Sequence, residues 1–274
     1  MKYELIITDL DGTLLTSEMT VSPENEAAIK KITAMGIEFA VSSGRAMNEI
    51  PECIMNNPDI RYITHSNGTA IFDKLLCRDI ASNRLSLEEA RAAYDVISDY
   101  DTVRSIHTNG CAYFNDREIT DELCKTYQIN DYYRAIFENL DALKSDEAYA
   151  RVVDGTEAVV LFFKNDGDIE PCRKRLEAIG GITVTSSVAH NLELCSSRAG
   201  KGHAFEMLRE YLGVAKESSI AVGDNMNDTS MFSAAGLSLC VASGNEEAKA
   251  LADKVICRSD EHIAKYIYEM LTEK

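Results

Sequence analysis

The chain has 274 residues, 45% of them hydrophobic, and 45 acidic against 28 basic side chains, for a formal net charge of −17 at neutral pH. That length holds one large domain or two modest ones, and the hydrophobic share is ordinary for a globular chain. The charge argues against nucleic-acid binding through a basic face and disfavours docking on anionic membranes, and any phosphorylated ligand needs positive charge supplied locally by a metal ion or a few Lys and Arg.

Tyr3–Thr8 reads as a buried strand, entered at once from Met1 with no secretory signal and no apolar run of spanning length anywhere in the chain. Ser22-Pro23 opens a helix with an N-cap and a proline at its first position; Ala27, Ile29, Ile32 and Met35 form its apolar side, and Gly36 closes it. Ile37–Ser42 is the next strand and Arg61–Thr64 a third, a β-α-β rhythm that implies a parallel sheet with helices on both faces. Near Ser82 the character changes. Ser86-Leu87-Glu88-Glu89 is a capping-box start for a helix to about Tyr100. Val103–His107 and Cys111–Asn115 form a hairpin through Thr108-Asn109-Gly110. Ala158–Phe163 is a strand, Pro171 opens a helix ending at Gly180-Gly181, and Ile182–Thr185 is a strand. The first rhythm resumes with Leu192–Cys195, a helix after Lys201, the strand Ser219–Val222 and a helix from about Asn227.

The expected architecture is therefore α/β: a doubly wound, Rossmann-like parallel-sheet core (residues 1–82 and 191–274) interrupted by an α+β domain (83–190). Eight cysteines, at positions 53, 77, 111, 124, 172, 195, 240 and 257, form no Cys-x-x-Cys pair. They read as free, mostly buried thiols in a reducing cytoplasm.

Four segments carry the chemistry. Asp9-Leu10-Asp11-Gly12-Thr13 puts two mutually repelling carboxylates on the loop leaving the first strand, where a cation or phosphate chemistry needs them and packing does not. In Val41-Ser42-Ser43-Gly44-Arg45 a hydroxyl at a strand end can donate to a phosphate oxygen, or simply cap a helix. Ala199-Gly200-Lys201-Gly202-His203 is no Walker motif, because Gly202 stands where Ser or Thr is needed. Lys201 there is either solvated or aimed at a carboxylate and a phosphate, against the helix dipole. Gly223-Asp224-Asn225-Met226-Asn227-Asp228 offers oxygen ligands suited to Mg²⁺, or helix caps at Asn225 or Asn227. Each segment lies at the carboxyl end of an expected parallel strand, where open α/β sheets place their sites. The five histidines, at 65, 107, 190, 203 and 262, show no metal-ligand spacing. His190 and Asn191 read as surface or substrate-facing, and Asn109-Gly110 as a hairpin turn.

In this order the segments resemble the four motifs of the haloacid dehalogenase-like superfamily, most closely its Cof-type phosphatases of subclass IIB. Ser66-Asn67-Gly68-Thr69 also resembles a segment that precedes the cap in that family, and the insert resembles its C2B-type cap domain. The resemblance implies a Mg²⁺-dependent phosphatase acting on a small phosphorylated metabolite, a sugar phosphate or a phosphorylated cofactor. Asp9 would be the nucleophile that forms an aspartyl-phosphate, and Asp11 the acid and then the base. Ser43 and Lys201 would hold phosphoryl oxygens, with Gly12, Gly44 and Asn227 at the phosphate. Asp9, the carbonyl of Asp11 and Asp224 would hold Mg²⁺, supported by Asp228. A phosphomutase with the same intermediate and a non-catalytic ligand-binding relative are the alternatives. No nucleic acid or membrane partner is expected, and the chain would be a cytoplasmic monomer or homodimer. Two places depart from the family pattern. Val241-Ala242-Ser243-Gly244-Asn245 stands where relatives carry Asn-Ala, and His262 stands where many have glycine.

Overall fold

A computed structural model of the chain describes residues 2–115, 118–143, 155–186 and 188–273. The expected domain ends at positions 1 and 274 lie outside the described residues. The chain divides into two compact units, one made of Met1–Arg45, Ile50–Ser82 and Ala199–Lys274, the other of Ala46–Glu49 and Asn83–Arg198.

The first unit begins with β1 (Leu5–Asp9), buried along its whole length, and a turn over residues 10–14. In α1 (Pro23–Ala34) the Ser22 hydroxyl accepts from the Asn25 N–H, and the buried side is Asn25, Ala28, Ile29 and Ile32; Ala27, expected on that side, is exposed. Then follow β2 (Glu38–Ser42), α2 (Glu52–Met55), β3 (Tyr62–His65), β4 (Ala70–Asp73) and β5 (Arg78–Ser82).

In the second unit come α3 (Leu87–Ser98), β6 (Thr102–Thr108), β7 (Cys111–Asn115), α4 (Asp121–Thr126), α5 (Asp131–Phe137), β8 (Asp141–Leu143), β9 (Thr156–Phe163), α6 (Ile169–Glu177), β10 (Ile182–Thr185) and β11 (Asn191–Ser196). The chain returns to the first unit with α7 (Lys201–Leu212), β12 (Ser219–Gly223), α8 (Thr229–Ala234), β13 (Leu237–Val241), α9 (Glu246–Leu251), β14 (Lys254–Ile256) and α10 (Ile263–Thr272).

The sheet of the first unit runs β14-β13-β12-β1-β2-β3-β4-β5. Pairing is parallel from β14 to β3 and antiparallel for β3–β4 and β4–β5. The α/β class expected from the sequence is thus present, with an antiparallel edge that the β-α-β rhythm did not signal. Strand order reverses at β1, which lies between β12 and β2, so the loops leaving β1, β2 and β12 emerge side by side at a switch point. On one face Leu5, Ile7, Ala40 and Tyr62 pack with Ala204, Phe205 and Leu208 of α7 and with Met231 and Phe232 of α8. On the other, α1 packs against β2 and α10, and the buried Asn25 side chain accepts from the Ala264 N–H at 2.9 Å. His262, just before α10, has φ +65°, a left-handed conformation that glycine adopts more readily than a side-chain-bearing residue. Its ring nitrogen lies 3.0 Å from the Ser22 hydroxyl.

The sheet of the second unit runs β10-β11-β9-β6-β7-β8 among the described residues, antiparallel except for β7–β8. One face carries Leu85, Ile106, Leu161, Leu192 and Leu194 with α3 and α6; the other carries Val103, Phe114, Val160 and Phe162 with α4 and α5. Residues 109 and 110 have φ +51° and +75°, the left-handed pair that a tight hairpin turn between β6 and β7 requires.

β11 corrects the expected return to the core at 191. Leu192–Cys195 pairs antiparallel with β9 and β10, and the second unit extends to Arg198. An apolar strand followed by a glycine-led helix looks the same in sequence whichever sheet it joins, because pairing is a long-range property. His190 ends the turn before it and Asn191 opens the strand: His190 pairs with Asp166 at 2.8 Å, and Asn191 Oδ1 accepts from the Ser186 hydroxyl and the Val188 N–H. All eight cysteines are free, but only Cys124, Cys172 and Cys240 are buried, fewer than expected. Among the described residues no helix is long and apolar enough to cross a membrane.

Where the second unit begins and ends, Arg198 donates to both oxygens of Glu89 at 2.9 and 2.8 Å and to the Arg84 carbonyl at 3.1 Å. Glu89 also accepts from the Ser86 N–H, closing the capping box of α3. The Arg198 hydrogen bonds, with those from Ser86, hold the Glu89 carboxyl down at about 2 against burial. A depressed carboxyl stabilises the fold above its ordinary value of 4.5 and loses that effect as pH falls toward 2. Glu89→Gln is therefore expected to cost about 1 kcal/mol at pH 7, kept small by the half-exposed guanidinium. In denaturant titrations its deficit from wild type should shrink as pH falls through that window.

Candidate active site

The site is built from the three neighbouring strand ends and the start of α7, all within the first unit. Asp9 ends β1, and Leu10, two positions on from the buried Thr8, turns inward. The turn that follows needs Gly12, which has φ +81° and whose Cβ, if present, would lie 2.6 Å from Asp224 Oδ2. That clearance lets the loop after β1 lie directly against the loop after β12. Thr13, which sequence reading left without a role, donates its hydroxyl to Asp224 Oδ1 at 3.2 Å.

Lys201 is the first residue of α7, 3% exposed, at the helix end least suited to a cation. Its Nζ donates to Asp9 Oδ1 at 2.5 Å and to Asp228 Oδ1 at 2.7 Å, which offsets both the dipole and the burial. The open choice between a solvated lysine and one aimed at a carboxylate is resolved by this contact. Asp228 is fully buried, and its second oxygen accepts from the Asp224 and Asn225 N–H groups at 2.9 and 3.0 Å. It organises the loop that presents Asp224. Asn225 takes the capping role, accepting from the Met226 N–H, and leaves Asn227 exposed. The departure at Val241–Asn245 packs against the same loop, with the Asn245 N–H donating to the Asp224 carbonyl at 2.7 Å.

On the β2 side Ser43 is buried, and its hydroxyl oxygen accepts from the Arg45 N–H at 3.2 Å, which leaves its proton available for another acceptor. Arg45 donates from Nε and Nη2 to the two oxygens of Asp11, both at 2.8 Å. The sequence placed positive charge near the site through Arg45 without identifying Asp11 as its partner.

Three carboxylates face one ammonium here. Asp9, Asp224 and Asp228 each offer an oxygen, and these oxygens lie within 4.8 Å of one another. Burial pushes the Asp9 carboxyl well up; the Lys201 charge pulls it back, and Asp228 and Asp224 push it up again. Burial and then Asp228 raise Asp224 to about 6. Burial draws Lys201 down, but Asp228 and Asp9 outweigh it and hold the ammonium above its ordinary value. The directions agree that the group is short of positive charge. An all-oxygen donor set with that deficit fits a hard divalent cation.

The sequence-derived residues Asp9, Gly12, Lys201, Asp224 and Asp228 therefore meet in one cluster. Asp11, paired with Arg45, lies in the same turn after β1, while Ser43 and Gly44 follow β2 and Asn227 follows β12. Reasoning from sequence missed Asn67, whose Oδ1 accepts from Asn227 Nδ2 at 3.3 Å. Its signal was the Ser-Asn-Gly-Thr segment leaving β3.

A profile of the haloacid dehalogenase-like hydrolases matches residues 6–267. Phosphatase YwpJ of Bacillus subtilis is 31% identical, over 94% of this chain and 96% of its own. The 5-amino-6-(5-phospho-D-ribitylamino)uracil phosphatase YwtE of the same organism is 26% identical over 97% of each chain. Among solved structures, the haloacid dehalogenase subclass IIB sugar phosphatase BT4131 superposes with a TM-score of 0.78, covering 97% of this chain and 98% of that one at 17% identity, a likeness of fold.

Because Gly12 is what lets Asp224 approach, Gly12→Ala should displace that carboxylate and weaken divalent-cation binding by about 10-fold or more. Calorimetric titration with MgCl₂ reads the loss, and circular dichroism checks that the fold persists.

Proposed function

The chain belongs to the haloacid dehalogenase-like hydrolases and is a phosphatase of that family, and we propose that it hydrolyses small phosphomonoesters in two displacements at Asp9. The observation that carries this reading is the buried Lys201 bridging Asp9 and Asp228, with Asp224 in ligating reach of both. In the first displacement an Asp9 oxygen bonds to phosphorus in line with the departing ester oxygen, which takes a proton from Asp11. In the second, Asp11 takes a proton from a water that attacks phosphorus, the bond to Asp9 breaks and inorganic phosphate leaves. A carboxylate nucleophile divides one difficult hydrolysis into two easier steps.

Positioning and charge neutralisation dominate such reactions. Ser43 offers its free hydroxyl proton to a phosphoryl oxygen, while Lys201 neutralises Asp9 and the incoming group. Gly12, Gly44 and Asn227 shape the phosphate end. Each oxygen of Asp11 accepts one bond from Arg45 and keeps a second lone pair at which the transferred proton can sit. Asp9, Asp224 and the Asp11 carbonyl would hold Mg²⁺, with Asp228 behind them through Lys201. The ion would supply the positive charge that the cluster lacks and draw electron density from the phosphoryl oxygens.

The substrate class we propose is a primary phosphate on a small polyol chain, as in a sugar phosphate or a phosphorylated cofactor precursor. The phosphoribityl group in the name of the relative YwtE supports that choice. The eight free cysteines support the cytoplasm as its compartment.

Asp9→Asn is expected to reduce turnover of an aryl phosphate by at least about 1,000-fold with an unchanged circular dichroism spectrum; wild-type-like turnover would rule out the nucleophile. Chelation should bring wild-type turnover to background and lower the melting temperature. MgCl₂ should restore both, since a ligand that binds only the folded state stabilises it.

A further inference from the structure

The segment leaving β3 is conformationally costly in a way that its packing alone does not require. Ser66, Asn67 and Gly68 have φ of +50°, +53° and +81°, three consecutive left-handed residues of which only one is glycine. The backbone is held there from several sides. The Ser66 N–H donates to the Arg45 carbonyl at 2.7 Å, the Asn67 N–H to the Ser43 carbonyl at 3.0 Å, and the Thr69 hydroxyl to the Ser66 carbonyl at 2.8 Å. Gly68 lies so close to the start of α7 that a Cβ there would sit 2.4 Å from the Gly200 carbonyl oxygen and 2.7 Å from the Lys201 nitrogen. The bend thus joins the backbone behind Ser43 to the backbone that carries Lys201.

What the bend presents is the side chain of Asn67. Its Oδ1 accepts from Asn227 Nδ2 at 3.3 Å and would lie 3.1 Å from a Cβ on Gly44. The Nδ2 of Asn67 has no acceptor among the described residues, and the side chain is half-buried. A carboxamide fixed by its oxygen, with both N–H groups free among the described residues, Gly44 and Asn227 against it and its own backbone tied to Ser43, is a preorganised donor for an anionic oxygen. We infer that Asn67 is a phosphoryl-binding residue, donating from Nδ2 to an oxygen of the substrate phosphate beside Ser43 and Lys201. The inference rests on the phosphatase reading of the site and adds a donor from β3 to those from β2 and α7.

The test compares Asn67→Gly with Asn67→Asp, using p-nitrophenyl phosphate turnover, competitive inhibition by inorganic phosphate, and melting, all with MgCl₂ present. Glycine adopts the left-handed backbone freely, so Asn67→Gly removes the amide without straining the bend. It should melt no lower than wild type, lose about 10- to 100-fold in kcat/KM and bind phosphate about 5-fold or more weakly. Asn67→Asp keeps the shape but replaces the donor with a negative charge, and should be the worse enzyme of the two. Retention of kcat/KM and phosphate inhibition by Asn67→Gly within about 3-fold of wild type would overturn the inference, as would Asn67→Asp outperforming Asn67→Gly, the order that a shape-filling role predicts. Absence of turnover by the wild-type protein itself would overturn the phosphatase site, and this donor with it.

Discussion

The first unit depends on one arrangement: a lysine ammonium, buried at a helix start, between the carboxylates of Asp9 and Asp228. None of these groups is tolerable alone at that depth. An unpaired buried charge costs several kcal/mol, and removing one partner of such a pair typically costs about 3–5 kcal/mol. The requirement reaches outward. Lys201 must begin α7, β1 must end at Asp9, and the loop after β12 must return Asp228 beneath Asp224, which it does through two backbone N–H donors. A third carboxylate, Asp224, is then held against the β1 turn by the clearance at Gly12 and by the Thr13 hydroxyl. The cluster stays short of positive charge, a deficit that a divalent cation would fill so that an anionic phosphoryl group can approach Asp9.

Rigidity comes from where these residues sit. β1 lies at the point where strand order reverses, and its neighbours β12 and β2 supply the other loops from fully paired, buried strands. Loop residues anchored at the ends of central strands keep their geometry better than residues on free loops. The strained bend at Ser66–Gly68 extends the same logic to β3, spending backbone conformation to bring an amide beside Ser43 and Asn227. The second unit is stabilised by its own two-sided core and by the Arg198–Glu89 clasp where its chain enters and leaves.

Much of this was legible in the sequence, for local reasons. Ser22-Pro23 and Ser86–Glu89 announce helix starts because capping is a short-range hydrogen-bond pattern, and Asn109-Gly110 announces a hairpin because few residue pairs accept two positive φ angles. The motif order alone places Asp9, Lys201, Asp224 and Asp228 within one site. Long-range pairing was not legible. Leu192–Cys195 looks like a core strand until β9 and β10 are seen on either side of it, and the antiparallel edge β4–β5 carries no signal that separates it from a loop. The partners of Asp11 and Asn67 were hidden for the same reason: Arg45 and Asn227 are 34 and 160 residues away along the chain, and only the fold brings them into contact.

The central claim is that Asp9, held by Lys201, takes the phosphoryl group covalently. Acid quench during turnover of a radiolabelled phosphomonoester with MgCl₂, followed by proteolysis and peptide mapping, tests it most directly. The account predicts acid-stable, hydroxylamine-labile label on the peptide that contains Asp9, absent in Asp9→Asn. Steady turnover with no label on that peptide at any quench time, or label on a different residue, would contradict it.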